Sequence, residues 1–172
     1  MAGKVPPTSL NVLKKPLGIF SKDPMTGFYR NGYCDVGPED RGIHAVAAIL
    51  TDPFLDFSAS KGNNLRSIGL TAGCRWCLCA ARWKEALVHA SKSSDPASQA
   101  IVPRVHLHAT HEKALDILSM DDLKKHAAEP EVATASNFVE SKFPGGDPGV
   151  GLKTEGKTEL AGKGGMTSKD EL

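Results

Sequence analysis

The stretch from Cys74 to Trp83 reads CRWCLCAARW and holds three of the chain's four cysteines and both of its tryptophans. Thiols at that density admit a metal site, a redox centre, a nucleophile or a tightly packed strand. In an extended segment Cys77 and Cys79 share a face with their Cα atoms about 6.5 to 7 Å apart. That separation disfavours a bond between them. Two thiols on one face ligate a metal where other donors converge, and Cys34, Cys74, His44, His106, His108 and His111 are the available ones. The C-x2-C-x-C spacing lacks a second C-x2-C, however, so it is not the paired-knuckle pattern of a zinc finger. Buried cysteines acting as small hydrophobes in a central strand are the stronger reading.

A second set of polar residues lies in loops rich in Gly and Pro. KDPMTGFYR and GPEDRG place Asp23, Thr26, Arg30, Glu39, Asp40 and Arg41 around Cys34. Asp-Pro and Gly-Pro are ordinary turn chemistry, and Asp23 and Thr26 are able to bond the local backbone. The sharper alternative is a cleft where carboxylates, a thiol and a guanidinium meet and tune one another for acid–base work. Further on, ATHEKAL puts His111 and Glu112 in the first turn of an expected helix, where an anion is favoured. Neighbours in sequence do not share a helix face, so they form no acid–base pair by themselves. A nucleophilic thiol needs an imidazole beside it, for which Cys34 or Cys77 with His111 are the candidates. The chain has no P-loop, dinucleotide fingerprint, zinc-protease motif or nucleophile elbow.

The elements that must position these groups follow from local signals. HAVAAIL (44–50) and RWCLCA (75–80) are short apolar runs expected as buried strands. Asp52-Pro53 starts a short helix over 53–61 and Gly62 ends it. In ARWKEALVHA (81–90) Trp83, Ala86, Leu87 and Ala90 share a helical face. Asn31-Gly32 predicts a hairpin. RVHLHA (104–109) alternates as a strand, with Val105, Leu107 and Ala109 on one side and His106 and His108 on the other. Thr110 is placed to cap a helix over 111–118, and Ser119 with Asp122 to start one over 120–127. The expected fold is a single small α/β or α+β domain over 11–128, a short β-sheet flanked by helices. It follows an N-terminal arm (1–10) and precedes an extended irregular C-terminal tail (129–172).

The 21 Lys and Arg residues are scattered and balanced by 20 Asp and Glu, which gives no nucleic-acid footprint. No apolar window is long enough to span a membrane, and the first residues lack the apolar core of a secretory signal. The bunched cysteines point to reduced thiols in a soluble protein of the cytoplasm or an organelle matrix. Lys169, Asp170, Glu171 and Leu172 match the retrieval signal of the endoplasmic reticulum, a minority reading without an entry signal. From Glu129 onward, Gly, Lys, Glu, Thr and Pro dominate, and the apolar residues are too sparse to build a core.

NVL, DPMTGFYRNGYC, GPEDRGIHAV, FLDFSASKGNNL, RWCLCAARWKEA and ATHEKALDIL, taken in order, resemble the mainly bacterial family named domain of unknown function 2237, over about Asn11 to Ala127. The resemblance implies a single small α/β domain and no assigned activity. The residues on its pattern are Asp23, Thr26, Arg30, Cys34, Glu39, Asp40, His44, Arg75, Cys77, Cys79, Arg82, His111 and Glu112. It also implies further cysteines where this chain has Ile19-Phe20, Tyr33 and Ala47-Ala48, and a longer loop where it has RSIGLTAG. That thinned set and the extension favour a non-catalytic accessory subunit, held to other protein subunits through residues 129–172 with Phe138, Val139, Phe143 and Leu152 as anchors. The alternatives are a small enzyme or ligand-binding module with a cleft containing Cys34, Glu39, Asp40 and His111, or a domain binding metal through Cys34, Cys77, Cys79 and His111. For the enzyme or ligand-binding module, Cys34, Asp40, His111 and Glu112 are the catalytic candidates, and Asp23, Thr26, Arg30, Glu39, His44, Arg75 and Arg82 the ligand-binding ones. No cofactor is expected.

Overall fold

The structure, a computed structural model, describes residues 7–128. The tail anchors Phe138, Val139, Phe143 and Leu152 and the terminal Lys169 to Leu172 lie outside the described residues. The chain forms an α+β fold on a three-stranded antiparallel sheet. Strands β1 (Val46–Ile49), β2 (Arg75–Leu78) and β3 (Arg104–Val105) are ordered β2-β1-β3. Helices α1 (Asp52–Ser60), α2 (Ala80–Ala90), α3 (Pro96–Gln99) and α4 (Met120–Lys125) complete it.

Strand parity divides the sheet into two buried faces. Val46 stands opposite Leu78 and Ala48 opposite Trp76. These four join Phe54 and Leu55 of α1, Trp83, Ala86 and Ala90 of α2 and Leu123 of α4 in the main core. Trp83 is fully buried, and its indole N–H donates to the Pro103 carbonyl at 3.0 Å, so the large apolar ring enters the core without an orphaned polar atom. Ala47 and Cys77 point the other way and meet Phe20, Cys34 and Ala109 in a second, smaller core. Loop residues rather than helices cover that face.

Two threonines make the loop cover possible by closing open ladder positions. The Thr26 hydroxyl accepts from Cys77 N at 2.8 Å on the edge strand β2. The Thr110 hydroxyl accepts from Ala47 N at 3.1 Å and donates to the His106 carbonyl. Both are fully buried, and each supplies the partner that a buried backbone N–H requires.

Five expectations are corrected. Asn31-Gly32 makes no hairpin: Gly32 N bonds back to Thr26 O and Gly32 O accepts from Phe20 N, so the segment closes as a compact loop against the sheet. Strand β3 stops at Val105, because the chain turns into a short 3-10 segment, Leu107–Ala109, held by the Thr110 to His106 bond. The segment after Thr110 is a 3-10 turn, Glu112–Asp116, capped by the His111 side chain. Thr51, not Asp52, caps α1, its hydroxyl accepting from Phe54 N at 3.2 Å. Cys34 and Cys77 are not reduced thiols but a disulfide that ties the loop layer to β2, with Cα atoms 5.2 Å apart. The Ser119 cap of α4 forms as the sequence suggests, with Asp122 N donating to the Ser119 hydroxyl at 3.0 Å.

Candidate functional site

The loop that leads into β1 folds around one carboxylate. Asp40 is buried, and its Oδ1 accepts from Gly42 N at 3.1 Å and from the His44 imidazole at 2.6 Å, while Oδ2 accepts from His44 N at 2.8 Å. The bond to His44 Nδ1 places the proton on that nitrogen and leaves Nε2 as the acceptor in the neutral ring. Gly42 allows this arrangement, since a Cβ there would lie 2.6 Å from His44 Cε1. Phe28 stacks on the other side of the imidazole, with ring centroids 5.8 Å apart.

His44 opens onto a pocket of about 340 Å3 at the junction of β2 with α2. Its apolar lining comes from Phe28, Leu65, Ile68, Trp76, Cys77 and Leu78, and its polar lining from Arg30, His44, Asn63, Cys79 and Arg82. Among the described residues no carboxylate lines it, so its charged groups there are two guanidiniums beside an imidazole. Arg30 lies over the Trp76 ring at 5.0 Å, a cation–π contact that orients the guanidinium. Arg82, in the first turn of α2, also pairs with Glu85 at 2.9 Å outside the pocket.

Cys79 occupies the N-cap of α2 as a free, half-buried thiol, its side chain making no capping bond. The helix is tied to the loop that carries Asp40 and His44 through Ala80 N, which donates to Ile43 O at 3.0 Å. Ile43 and Arg30 both have φ of 51°. A left-handed conformation costs a non-glycine residue about 1 to 3 kcal/mol, and such residues gather at functional sites. Here one directly precedes His44 and the other presents a pocket guanidinium.

The remaining residues singled out in the sequence are dispersed. Cys34 is bonded to Cys77, and in this state neither sulfur serves as a free nucleophile or metal ligand. Glu39 accepts from the Tyr29 hydroxyl, and that bond pushes the tyrosine pKa up to about 12. Asp23 is exposed in a turn, and Arg75 lies over Phe20 at 5.6 Å. His111 is buried, with Nδ1 accepting from Lys113 N and Nε2 3.5 Å from Asp35. Burial lowers its pKa and outweighs the upward pull of Asp35. Glu112 binds Lys14 at 2.7 Å, a bond that lowers its pKa. Among the described residues, no group of three or more His, Cys, Asp and Glu side chains converges as a metal site.

The cleft foreseen around Cys34, Glu39, Asp40 and His111 is therefore not assembled as one site. Arg30, His44, Arg82 and Cys79 meet instead, with Asp40 behind the imidazole. Phe28, Leu65 and Trp76 had no polar signature in the sequence to mark them as pocket walls. A wider open groove of about 700 Å3 runs along the outer side of α2 past Lys61, Lys84, Val88 and Lys92. Its cations share the lining with the Phe57 ring, the His89 imidazole and the Glu85 carboxylate, and that carboxylate offsets their charge. Residues 10–127 match the model of a family described as an uncharacterized protein conserved in bacteria, domain of unknown function 2237. No curated protein matches the chain.

Proposed function

The chain belongs to the family named domain of unknown function 2237, a membership that brings no activity with it, and we propose that the domain binds a small anionic ligand in the pocket between Arg30, His44 and Arg82. The observation that carries this reading is the composition of the lining: two guanidiniums and an imidazole, no carboxylate among the described residues, and a floor of Trp76, Leu65 and Leu78. Guanidiniums grip carboxylate and phosphate through charge-assisted, often paired hydrogen bonds. The apolar walls suit a ligand with a hydrocarbon or aromatic body, and the volume lies within the range of small-molecule sites. The left-handed Arg30 and Ile43 add support, since backbone strain at a pocket fits preorganisation for a ligand.

The reading as an accessory subunit rests on residues 129–172, outside the described residues, and takes second place. The test is a titration of isotope-labelled protein, followed by amide chemical shifts, with inorganic phosphate, succinate, a sugar phosphate and an aromatic carboxylate. The expected result is saturable shifts at Gly27, Arg30, His44, Cys79 and Arg82 with at least one anion. An absence of shifts with all four at millimolar concentration, or shifts confined to Lys61, Lys84 and Lys92, overturns the proposal.

A further inference from the structure

We propose that Cys79 is a nucleophile, with His44 as its general base, acting on the carbonyl carbon of an ester whose acyl part carries a second, anionic group. This rests on the anion-binding reading above and assigns a reaction to the same pocket. A thiol, an imidazole, a buried carboxylate behind it and a helix start border one pocket, the parts from which a thiol acyl-transfer site is assembled once a bound substrate draws the thiol and the imidazole together. Cys79 and His44 line one pocket, and the Ala80 to Ile43 bond holds the residue after the thiol against the residue before the imidazole. Asp40, wholly buried, fixes the imidazole through Nδ1 and acts as a positioning residue. The thiol stands at the N-terminus of an eleven-residue helix whose Ala81 and Arg82 N–H groups have no backbone acceptor among the described residues. Free amides at a helix start are donors for a developing oxyanion.

In the first step Cys79 Sγ attacks the ester carbonyl carbon as its proton passes to His44 Nε2. A C–S bond forms, and the carbonyl π pair moves to oxygen, facing the Ala81 and Arg82 amides. Collapse breaks the ester C–O bond, and the imidazolium returns the proton to the leaving alkoxide. The products are an alcohol and S-acyl Cys79. Water, deprotonated by the same imidazole, then attacks the thioester; the C–S bond breaks and the thiolate regains the proton from His44. The net reaction is ester plus water to acid plus alcohol. Arg30 and Arg82 hold the distal anion.

The experiment treats the full chain with the mono-p-nitrophenyl ester of succinic acid and with neutral p-nitrophenyl acetate. Released nitrophenolate and peptide mass mapping of the acylated residue are the readouts, with succinate itself as the binding probe. The expected result is succinylation of Cys79 at least tenfold faster than of the other free thiol, Cys74, together with a preference for the anionic ester that the Arg30→Gln/Arg82→Gln variant loses. Cys79→Ser abolishes the burst, and Cys74→Ser leaves it intact. His44→Gln slows acylation on the order of 10²–10⁴-fold near neutral pH, the usual worth of a general base. It also shifts the pH profile to that of an unassisted thiol, which a purely structural role would not do. Saturable succinate binding with Cys79 acylated no faster than Cys74 refutes the nucleophile and leaves the anion site standing. Neither binding nor selective acylation refutes both, and selective acylation unaffected by His44→Gln refutes the base.

Discussion

Removing the Cys34–Cys77 bond should cost the domain about 4 kcal/mol of stability. The bond spans 43 residues and fastens the loop layer to the second face of the sheet. Closing a loop of that length removes about 13 cal/mol/K from the unfolded chain, or about 4 kcal/mol at 25 °C. Over a folded unit of roughly 120 residues, that corresponds to a fall of about 12–16 °C in Tm. The assay is thermal unfolding followed by far-ultraviolet circular dichroism, with and without a phosphine reductant, paired with a thiol count on the native protein. Native protein should titrate as two thiols, Cys74 and Cys79, and the reductant should lower Tm by the stated amount. The Cys34→Ala/Cys77→Ala variant should start from the lower Tm and no longer respond to reductant. Four titratable thiols in unreduced protein, with one Tm under both conditions, would refute the reasoning.

Three further outcomes follow from named contacts. Gly42→Ala drives a methyl group into the His44 ring, 2.6 Å from Cε1, and should break the bond to Asp40. A charge-assisted hydrogen bond contributes about 1.5–3 kcal/mol, so denaturant unfolding should show a loss of that order, and the Nδ1 proton resonance should vanish. Thr26→Val keeps the shape but leaves Cys77 N–H buried without its acceptor, which should cost about 1–3 kcal/mol by urea titration. For His111, burial holds the folded pKa below the ordinary value of 6.5, so the unfolded chain takes up the proton first. Its contribution is complete above about pH 6.5 and is lost as pH falls through the folded pKa. Unfolding free energies measured between pH 4 and 8 should show a slope that His111→Gln flattens.

Much of the scaffold was legible because local chemistry dictates it. β1 and β2 are continuous apolar runs, α2 carries Trp83, Ala86 and Ala90 on one face, and Ser119 caps α4 through its own sequence neighbourhood. What the sequence left hidden depends on contacts between distant residues. Asn31-Gly32 reads as a hairpin until the Thr26 carbonyl and the Phe20 amide claim Gly32 from outside the turn. Cys34 and Cys77 meet only after the loop folds over the sheet. Cys79, two residues from Cys77, was expected on the strand, but the chain turns there into α2 and leaves its thiol at the helix cap. His111 drew notice as a polar residue at a helix start, yet it caps a turn beside Asp35, while His44 became the pocket imidazole because Gly42 lets it fold onto Asp40.

The central claim is that Arg30 and Arg82 hold an anion in the pocket beside His44, and calorimetry on paired charge variants tests it most directly. The anion that gives the strongest amide shifts is titrated into native protein, into Arg30→Gln/Arg82→Gln and into Lys84→Gln/Lys92→Gln. At about 1.5–3 kcal/mol per charge-assisted bond, the arginine pair should weaken Kd by at least tenfold, and the lysine pair should leave it unchanged. An unchanged Kd in the arginine variant, or a loss in the lysine variant alone, would contradict the account.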